Sequence, residues 1–461
     1  MRIKEIYRGN TPPRDTDSVW IRGKEILLFT NEGWVNVNES TVVDTELDPE
    51  SNHPISNSAV AASLSNAEEN LSETSENLIK NKAVYNQYMT TDDVNEILVK
   101  IDPSYNREIF KKKYFTLEFI TSGKFYVEGT ACYMSKNDED WQRKGAYNYQ
   151  NVSAGDVIKI KASGDIKNVK LKVETAQFNA YGNILSLFYG DDFLNYDSLP
   201  VPQTSEYRAC NEMFKNSEIV SAENLILPET VQDYCYSHMF SGCTKLKKGP
   251  DLLATTLKQY CYSSMFSECT SLVHIPKMGV IEAVANRCCA SMFESCTSLV
   301  DTPTLAATIL STSCYEEMFK GCTSLETAPN LPATTLATSC YAYMFQGCTS
   351  LINIPNILPA ETLESYCYQN MFSGCSSITE SPVLPAASIT KSHCYERMFS
   401  GCSSLSKIKC LGDPVSQYNT SMSNWVNGVS ATGVLIKNPA VSSWTYGNSG
   451  VPTGWTIEDN A

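Results

Sequence analysis

The sequence predicts a multidomain, mostly β protein with short helices, whose largest part is a solenoid of stacked repeats. Three observations predict it. The dipeptide Met-Phe recurs at Met239, Met265, Met292, Met318, Met344, Met371 and Met398, in steps of 26 or 27 residues, and a fixed period of that length marks a stacked-repeat architecture. From Asn106 to about Gln203, runs such as YFTLEFITSGKFYVEG, VSAGDVIKIKASG and VKLKVETAQF alternate apolar and polar residues, or are β-branched, between Gly and Asn turns, which reads as strands. The length of 461 residues and hydrophobic content of 42% suit about three soluble domains.

At the start, residues 1–42 contain WIRGKEILLFTNEGWVNV, two apolar runs broken by Asn31-Glu32-Gly33. This reads as a β hairpin too small to bury a core of its own, hence a docking or anchoring segment. Residues 43–102 follow with a different repeat, of period 24: LDPESNHPISNSAVAASL from Leu47 aligns with LSETSENLIKNKAVYNQY from Leu71. Val60, Leu64, Ala67 and Leu71 fall at spacings of 4, 3 and 4, with Val84 and Tyr88 on the second copy. That narrow stripe suits a short coiled-coil stem, which needs partner chains. A monomeric helical hairpin is the alternative.

Each later repeat is best shown by CYEEMFKGCTSLETAPNLPATTL, Cys314–Leu336, with cysteines four before and four after the methionine in all seven copies. A degenerate eighth copy, CNEMFKNSEIVSAENLILP, opens the array at Cys210. One unit holds too few apolar residues for a core, so its Cys, Met, Phe and Leu must be buried against the next unit. The spacing suits one or two helical turns ended by Gly242, Gly321, Gly347, Gly374 or Gly401, and the following Leu-x-x-x-Pro reads as a short strand. The cysteines do not have the knuckle spacing of a zinc site. Parallel ladders suit packed thiols better than disulfides, though disulfides remain the alternative. Tyr236, Tyr262, Tyr315, Tyr341, Tyr368 and Tyr395 form a half-buried ladder or a stacking surface for sugars. Two residues past the strand leucine, Lys248, His274, Asp301, Thr327, Asn353, Glu380 and Lys407 are polar and nearly all different. This row is the candidate recognition surface; free drift of an exposed rung is the plain alternative.

The unit MFxGCTSLxxxPxLPATTLxxxCY resembles BspA-type leucine-rich repeats, found in surface and phage-encoded proteins of gut bacteria. The resemblance covers residues 206–410 and implies a leucine-rich-repeat solenoid used for adhesion, with no catalytic residues. Residues 411–461 resemble the C-terminal cap of such arrays, with Trp425, Trp444 and Trp455 covering the last coil. Residues 103–205, ending in GNILSLFYGDDF, resemble a β-sandwich-like module that precedes such repeats. Segments of the form SENxIxNxAV resemble stem modules of tailed-phage fibres, which are usually trimers; the resemblance implies a homo-oligomer, a trimer ahead of a dimer. Taken together, these resemblances imply a head or tail fibre of a crAss-like phage, located in the virion and assembled in the host cytoplasm. Its N-terminus would meet capsid or tail proteins, and its solenoid a bacterial surface glycan or protein. A BspA-like bacterial cell-surface adhesin is the alternative, and a polysaccharide depolymerase a third.

The net charge of −15 repels polyanions on average, which argues against nucleic acid as a partner. No signal peptide or membrane span is expected, so no membrane insertion. No GxSxG, phosphate-loop or HExxH motif occurs, and His53, His238, His274 and His393 lie far apart in the sequence. Asp191 and Asp192, read as neighbours in a strand, would point apart. No catalytic residue, cofactor or metal is expected.

Overall fold

The computed structural model describes residues 6–8, 19–22, 25–30 and 33–36 as backbone, and residues 110–129, 131–163, 169–195, 203–204, 207–414, 420–442 and 444–461. The chain divides into two compact units, Met1–Lys111 and Lys112–Ala461. The proposed stem residues Val60, Leu64, Ala67, Leu71, Val84 and Tyr88 lie outside the described residues.

In the first unit, strands β1 (Ile6–Arg8), β2 (Val19–Arg22), β3 (Glu25–Thr30) and β4 (Gly33–Asn36) form one sheet in chain order. The expected hairpin is β3 with β4, Thr30 facing Gly33. The sheet is larger than expected: β2 pairs antiparallel with β3, and β1 pairs parallel with β2.

The second unit opens with a β domain built from β5 (Phe115–Phe119), β6 (Gly123–Glu128), β7 (Cys132–Lys136), β8 (Gln142–Lys144), β9 (Gln150–Val152), β10 (Val157–Ala162), β11 (Lys170–Glu174) and β12 (Phe178–Asn183). One sheet contains β12, β5, β10, β7 and β8, and a second has the order β11-β6-β9. Period-2 alternation places Phe115, Leu117 and Phe119 inside and Glu118 outside, the pattern of strands with one buried face. Phe119 of the first sheet meets Phe125 of the second, ring centroids 5.3 Å apart. A single-turn helix, α1 (Ser186–Tyr189), leads into a 3-10 helix, Gly190–Asn195. Asp191 and Asp192 therefore lie in a tight helical turn rather than the expected strand. Asp191 accepts from the Tyr114 hydroxyl at 2.6 Å and from Lys161 at 2.8 Å.

A short two-stranded ribbon, β13 (Gln203–Thr204) with β14 (Tyr207–Arg208), precedes the repeats. The β domain and the repeats then share one core. Strand β12 pairs in parallel with β15 (Ile219–Ser221) and β16 (Leu225–Ile226) of the opening, degenerate repeat. Phe115 and Phe178 each lie 6.2 Å from Phe214, and the Leu171 N–H donates to the Met213 carbonyl at 3.0 Å. Glu212 accepts from Lys170 at 2.6 Å and from Lys215 at 2.9 Å; these two ammonium groups hold its carboxyl down at about 2. A stack of repeats must hide the apolar end of its first coil, and here the β domain does so.

In each repeat the segment around Met-Phe is not helical, contrary to the expected helical turns. It is a series of linked turns in which every fourth residue is left-handed, as at Ser313 (φ 52°), Glu317 (φ 58°) and Gly321 (φ 75°). Alternate N–H groups serve two networks. Those of Tyr315, Glu317, Phe319 and Gly321 donate to Cys340, Ala342, Met344 and Gln346 of the next repeat, while those of Glu316, Met318, Lys320 and Cys322 donate three residues back in the same turn. All the backbone donors of this buried segment are thus satisfied without helix or sheet, as burial requires. A non-glycine residue in the left-handed region costs about 1–2 kcal/mol, and the stack supports one such residue at two or three places per repeat.

Side chains stack in register on this scaffold. Seven successive Phe pairs, from Phe214–Phe240 to Phe372–Phe399, have centroids 5.1–5.9 Å apart and ring planes within 8°, an offset stack. The second cysteine of each repeat has a specific role. Cys348 donates its S–H to the Phe319 carbonyl of the preceding repeat at 3.0 Å, and the same contact recurs from Cys243 to Cys402 at 3.0–3.1 Å. That carbonyl also accepts the Cys322 N–H at 3.1 Å, so both of its lone pairs are used.

The strand side is less regular. Instead of a strand at each Leu-x-x-x-Pro, most repeats make isolated parallel bridges, such as Thr327 with Asn353 and Ile357 with Val383. Among the described residues, a continuous parallel sheet forms between repeats at the C-terminal end, from β17 (Glu380–Leu384), β18 (Lys407–Cys410), β19 (Val434–Lys437) and β20 (Thr456–Asp459). A proline removes a donor at this place in each repeat from Pro250 to Pro382; even β17 breaks register between Glu380 and Val383, around Pro382, whereas β18, which has no proline, pairs with β19 without a shift. At the end of the array, Trp425 takes the methionine place: the Phe399 N–H donates to its carbonyl at 2.8 Å. Its indole is fully buried, donates to the Gly450 carbonyl at 2.7 Å and packs on Trp444, 5.8 Å away. Trp455 donates likewise to Ser430 at 2.7 Å.

Candidate functional site

The residues left to meet a partner are those the packing does not claim. Eighteen free thiols are all buried, and burial pushes Cys296, Cys348 and Cys402 among them up to about 12. They are protonated and packed, not nucleophilic. The tyrosine ladder is more deeply buried than the sequence suggests, with Tyr236, Tyr262, Tyr315, Tyr341, Tyr368 and Tyr395 at most 1% exposed. It is therefore not a surface for sugars. The copy around Met292 has Cys289 in the tyrosine place, which interrupts the ladder between Tyr262 and Tyr315.

The strand-side row is brought together on one face, and its members meet in consecutive pairs. His274 Nδ1 lies 3.0 Å from Asp301, whose other oxygen accepts the Ile275 N–H at 2.8 Å. Asn353 donates to the Thr327 hydroxyl at 3.0 Å, and Lys407 to Glu380 at 3.0 Å. Lys248 pairs instead with Glu223 of the opening repeat at 2.8 Å. These groups are half to mostly exposed, so each pair contributes little to stability, about 0–1 kcal/mol. What they do is present charges and amides in fixed order along the stack.

Beside the row lies a second column that the sequence reading passed over. Val273, Val300 and Ile352, one residue past the strand leucine, are 41–57% exposed. Ile309 and Ile357, on the following segment, are 68% and 45% exposed. The signal was present: an apolar residue directly after a buried leucine breaks strict alternation. Paired polar rungs beside exposed aliphatic side chains give this face a mixed polar and apolar character.

The turn side carries its own variable positions, the two residues between Cys-Tyr and Met-Phe. Here Lys320 bridges Glu294 at 3.1 Å and Glu317 at 2.8 Å, and Arg287 reaches Glu316 at 3.2 Å. Burial alone would lower the Lys320 pKa, but its two carboxylate partners raise it. Tyr234 stacks on Tyr260 at 4.5 Å and Tyr366 on His393 at 4.8 Å. These contacts link one repeat to the next and are largely used up in doing so.

Stacked coils with a buried Cys-Met-Phe-Leu interior define a repeat protein of the leucine-rich class. Residues 194–326 and 312–422 match the BspA type leucine rich repeat region, in six copies, so the array consists of BspA-type leucine-rich repeats. A leucine-rich repeat protein from Bacteroides ovatus, known from a crystal structure, is similar at 15% identity, with a TM-score of 0.27 over 65% of this chain and 97% of that one. No curated protein matches the chain. Among the described residues, no helix is long and apolar enough to cross a membrane.

Proposed function

We propose that this protein is an adhesin-type display protein, in which a solenoid of BspA-type repeats presents its strand-side face to a surface glycan or protein. One observation carries the reading: the interior residues of the repeats, thiols and tyrosines included, are committed to packing, while an ordered face of paired polar rungs and exposed aliphatics is left open. A protein with this division of labour needs no catalytic group and no cofactor. The test is attachment of the full chain to immobilised gut-bacterial and epithelial cell surfaces. The triple variant Val273→Ser, Val300→Ser, Ile352→Ser should lose at least tenfold in retention with unchanged thermal unfolding. Equal retention of variant and parent sinks the strand-side reading.

A second reading places the same display on a virion, as a head or tail fibre of a crAss-like tailed phage. It is favoured by the stem-like repeat SENxIxNxAV between 43 and 102. In this reading Val60, Leu64, Ala67, Leu71, Val84 and Tyr88 join three copies, and the N-terminal sheet docks on capsid or tail proteins. Sedimentation of the full chain as a trimer and its detection in purified particles support the fibre. A strict monomer, found in a bacterial surface fraction, supports the bacterial adhesin. The polysaccharide-depolymerase reading predicts release of reducing sugar from capsule, and none is expected.

A further inference from the structure

The β domain carries a feature that neither its core nor its capping of the repeats requires. On the outer face of the β11-β6-β9 sheet, Tyr126 lies 4.7 Å from Tyr149 in an edge arrangement, interplanar angle 67°, and 5.9 Å from Tyr147 at 41°. Tyr147 and Tyr149 are 58% and 49% exposed. Large exposed aromatics clustered in this way lose hydrophobic burial that a core site would provide. Tyr147 is also strained: its φ is +59°, a region bulky residues avoid, and its backbone is held there by an N–H donated to the Val127 carbonyl at 3.0 Å.

A second outlier stands next to the cluster. Thr175, β-branched, has φ +64°, directly after Glu174, whose carboxylate accepts the Tyr149 hydroxyl at 2.8 Å. Around the rings, strand pairing sets Lys172 opposite Tyr126, and Glu174 and Asn151 on either side of Lys124; all four of these polar residues are exposed. Three angled aromatic faces fringed by a carboxylate, ammonium groups and an amide match a pyranose ring, which has an apolar C–H face and a rim of hydroxyls.

We propose that Tyr126, Tyr147 and Tyr149 form a binding platform for a neutral hexose glycan chain. The angled rings suit a twisted single chain rather than a flat crystalline surface. The exposed area of the cluster, about 250 Å² from the size of a tyrosine, covers two or three sugar rings but falls far below the roughly 800 Å² per partner of a stable protein interface. A second copy of the chain is thus a poor occupant, and the net charge of −15 disfavours an anionic glycan. The platform deepens the adhesion reading and rests on it only for where the glycan comes from. Binding to defined sugars can therefore fail while attachment through the repeats survives, or the reverse.

The experiment is calorimetric titration of the full chain with six-unit oligosaccharides of β-glucan, α-mannan and β-galactan, with hyaluronan fragments as the anionic control. At least one neutral oligosaccharide should bind, and hyaluronan should not. Tyr147→Ala and Tyr149→Ala should each weaken binding at least tenfold, and Tyr147→Phe should retain it, with thermal unfolding of all three within a few degrees of the parent. Should Tyr147→Ala prove unstable, Glu174→Gln, which loosens the Tyr149 hydroxyl without touching the core, should still weaken binding several-fold. Three results overturn the proposal: no binding to any neutral oligosaccharide, binding indifferent to both alanine variants, or self-association of the chain that Tyr147→Ala abolishes.

Discussion

The two long sides of the repeats solve the same problem, joining one coil to the next, by different means. On the turn side alternate backbone N–H groups cross to the next repeat in every copy, and the second cysteine adds an S–H bond to the preceding one. On the strand side single bridges suffice until a true sheet forms at β17–β20. The difference explains where the sequence is invariant. Cys, Met, Phe and Tyr recur on the turn side because each fills a slot defined by identical neighbours above and below. The strand side varies because little of the packing there depends on its exposed side chains.

The largest expected effect comes from the thiols. Burial holds the second-position cysteines protonated, with Cys243 at about 11 and Cys348 and Cys402 at about 12, against 9.0 for a free thiol. A folded pKa above the unfolded one means this contribution is complete below pH 9 and is lost as pH rises toward 12. Each such thiol then costs about 1.4 kcal/mol by pH 10. Urea midpoints measured in reductant at pH 7, 8, 9 and 10 should fall steeply above pH 8.5, reaching unfolding near pH 10. A flat profile to pH 10 would mean the turn side is not packed as described.

Next in size is Phe319→Ala, which opens a hole in the middle of the ring stack and should cost about 3–5 kcal/mol, read as a lowered urea midpoint. Ile352→Ser on the strand side should cost under about 0.5 kcal/mol, as for surface positions generally. Between these two in size is Ser339, left-handed at φ 56°. Ser339→Gly should stabilise by up to about 1 kcal/mol, whereas Ser339→Val should destabilise by about 1–2 kcal/mol. Smallest is Lys407→Ala, which removes the exposed pair with Glu380 and should leave the midpoint within about 0.5 kcal/mol of the parent.

Much of this division is legible in the sequence. The Met-Phe period locates the interior, and the Lys248–Lys407 row does lie along one face. The turn geometry was not read correctly, because residues four apart share a face in a helix as well as in these linked turns. A sharper reading was available. Cys314, Met318 and Cys322 are all fully buried, yet over eight residues an α-helix would have rotated the last about 80° from the first. A spacing of four with no drift therefore argues against a helix. The junction between β12 and the opening repeat was illegible because parallel pairing between distant segments leaves no local pattern. The tyrosine platform was illegible for a similar reason: Tyr126 and Tyr147 meet only once β6 is placed.

Amide hydrogen exchange of the full chain at pH 7 tests the two-sided account most directly. Turn-side amides of residues 315–322 should exchange only through global unfolding, and those of the strand-side segment 323–330 at least a hundredfold faster. Equal protection of the two segments, or faster exchange on the turn side, would contradict it.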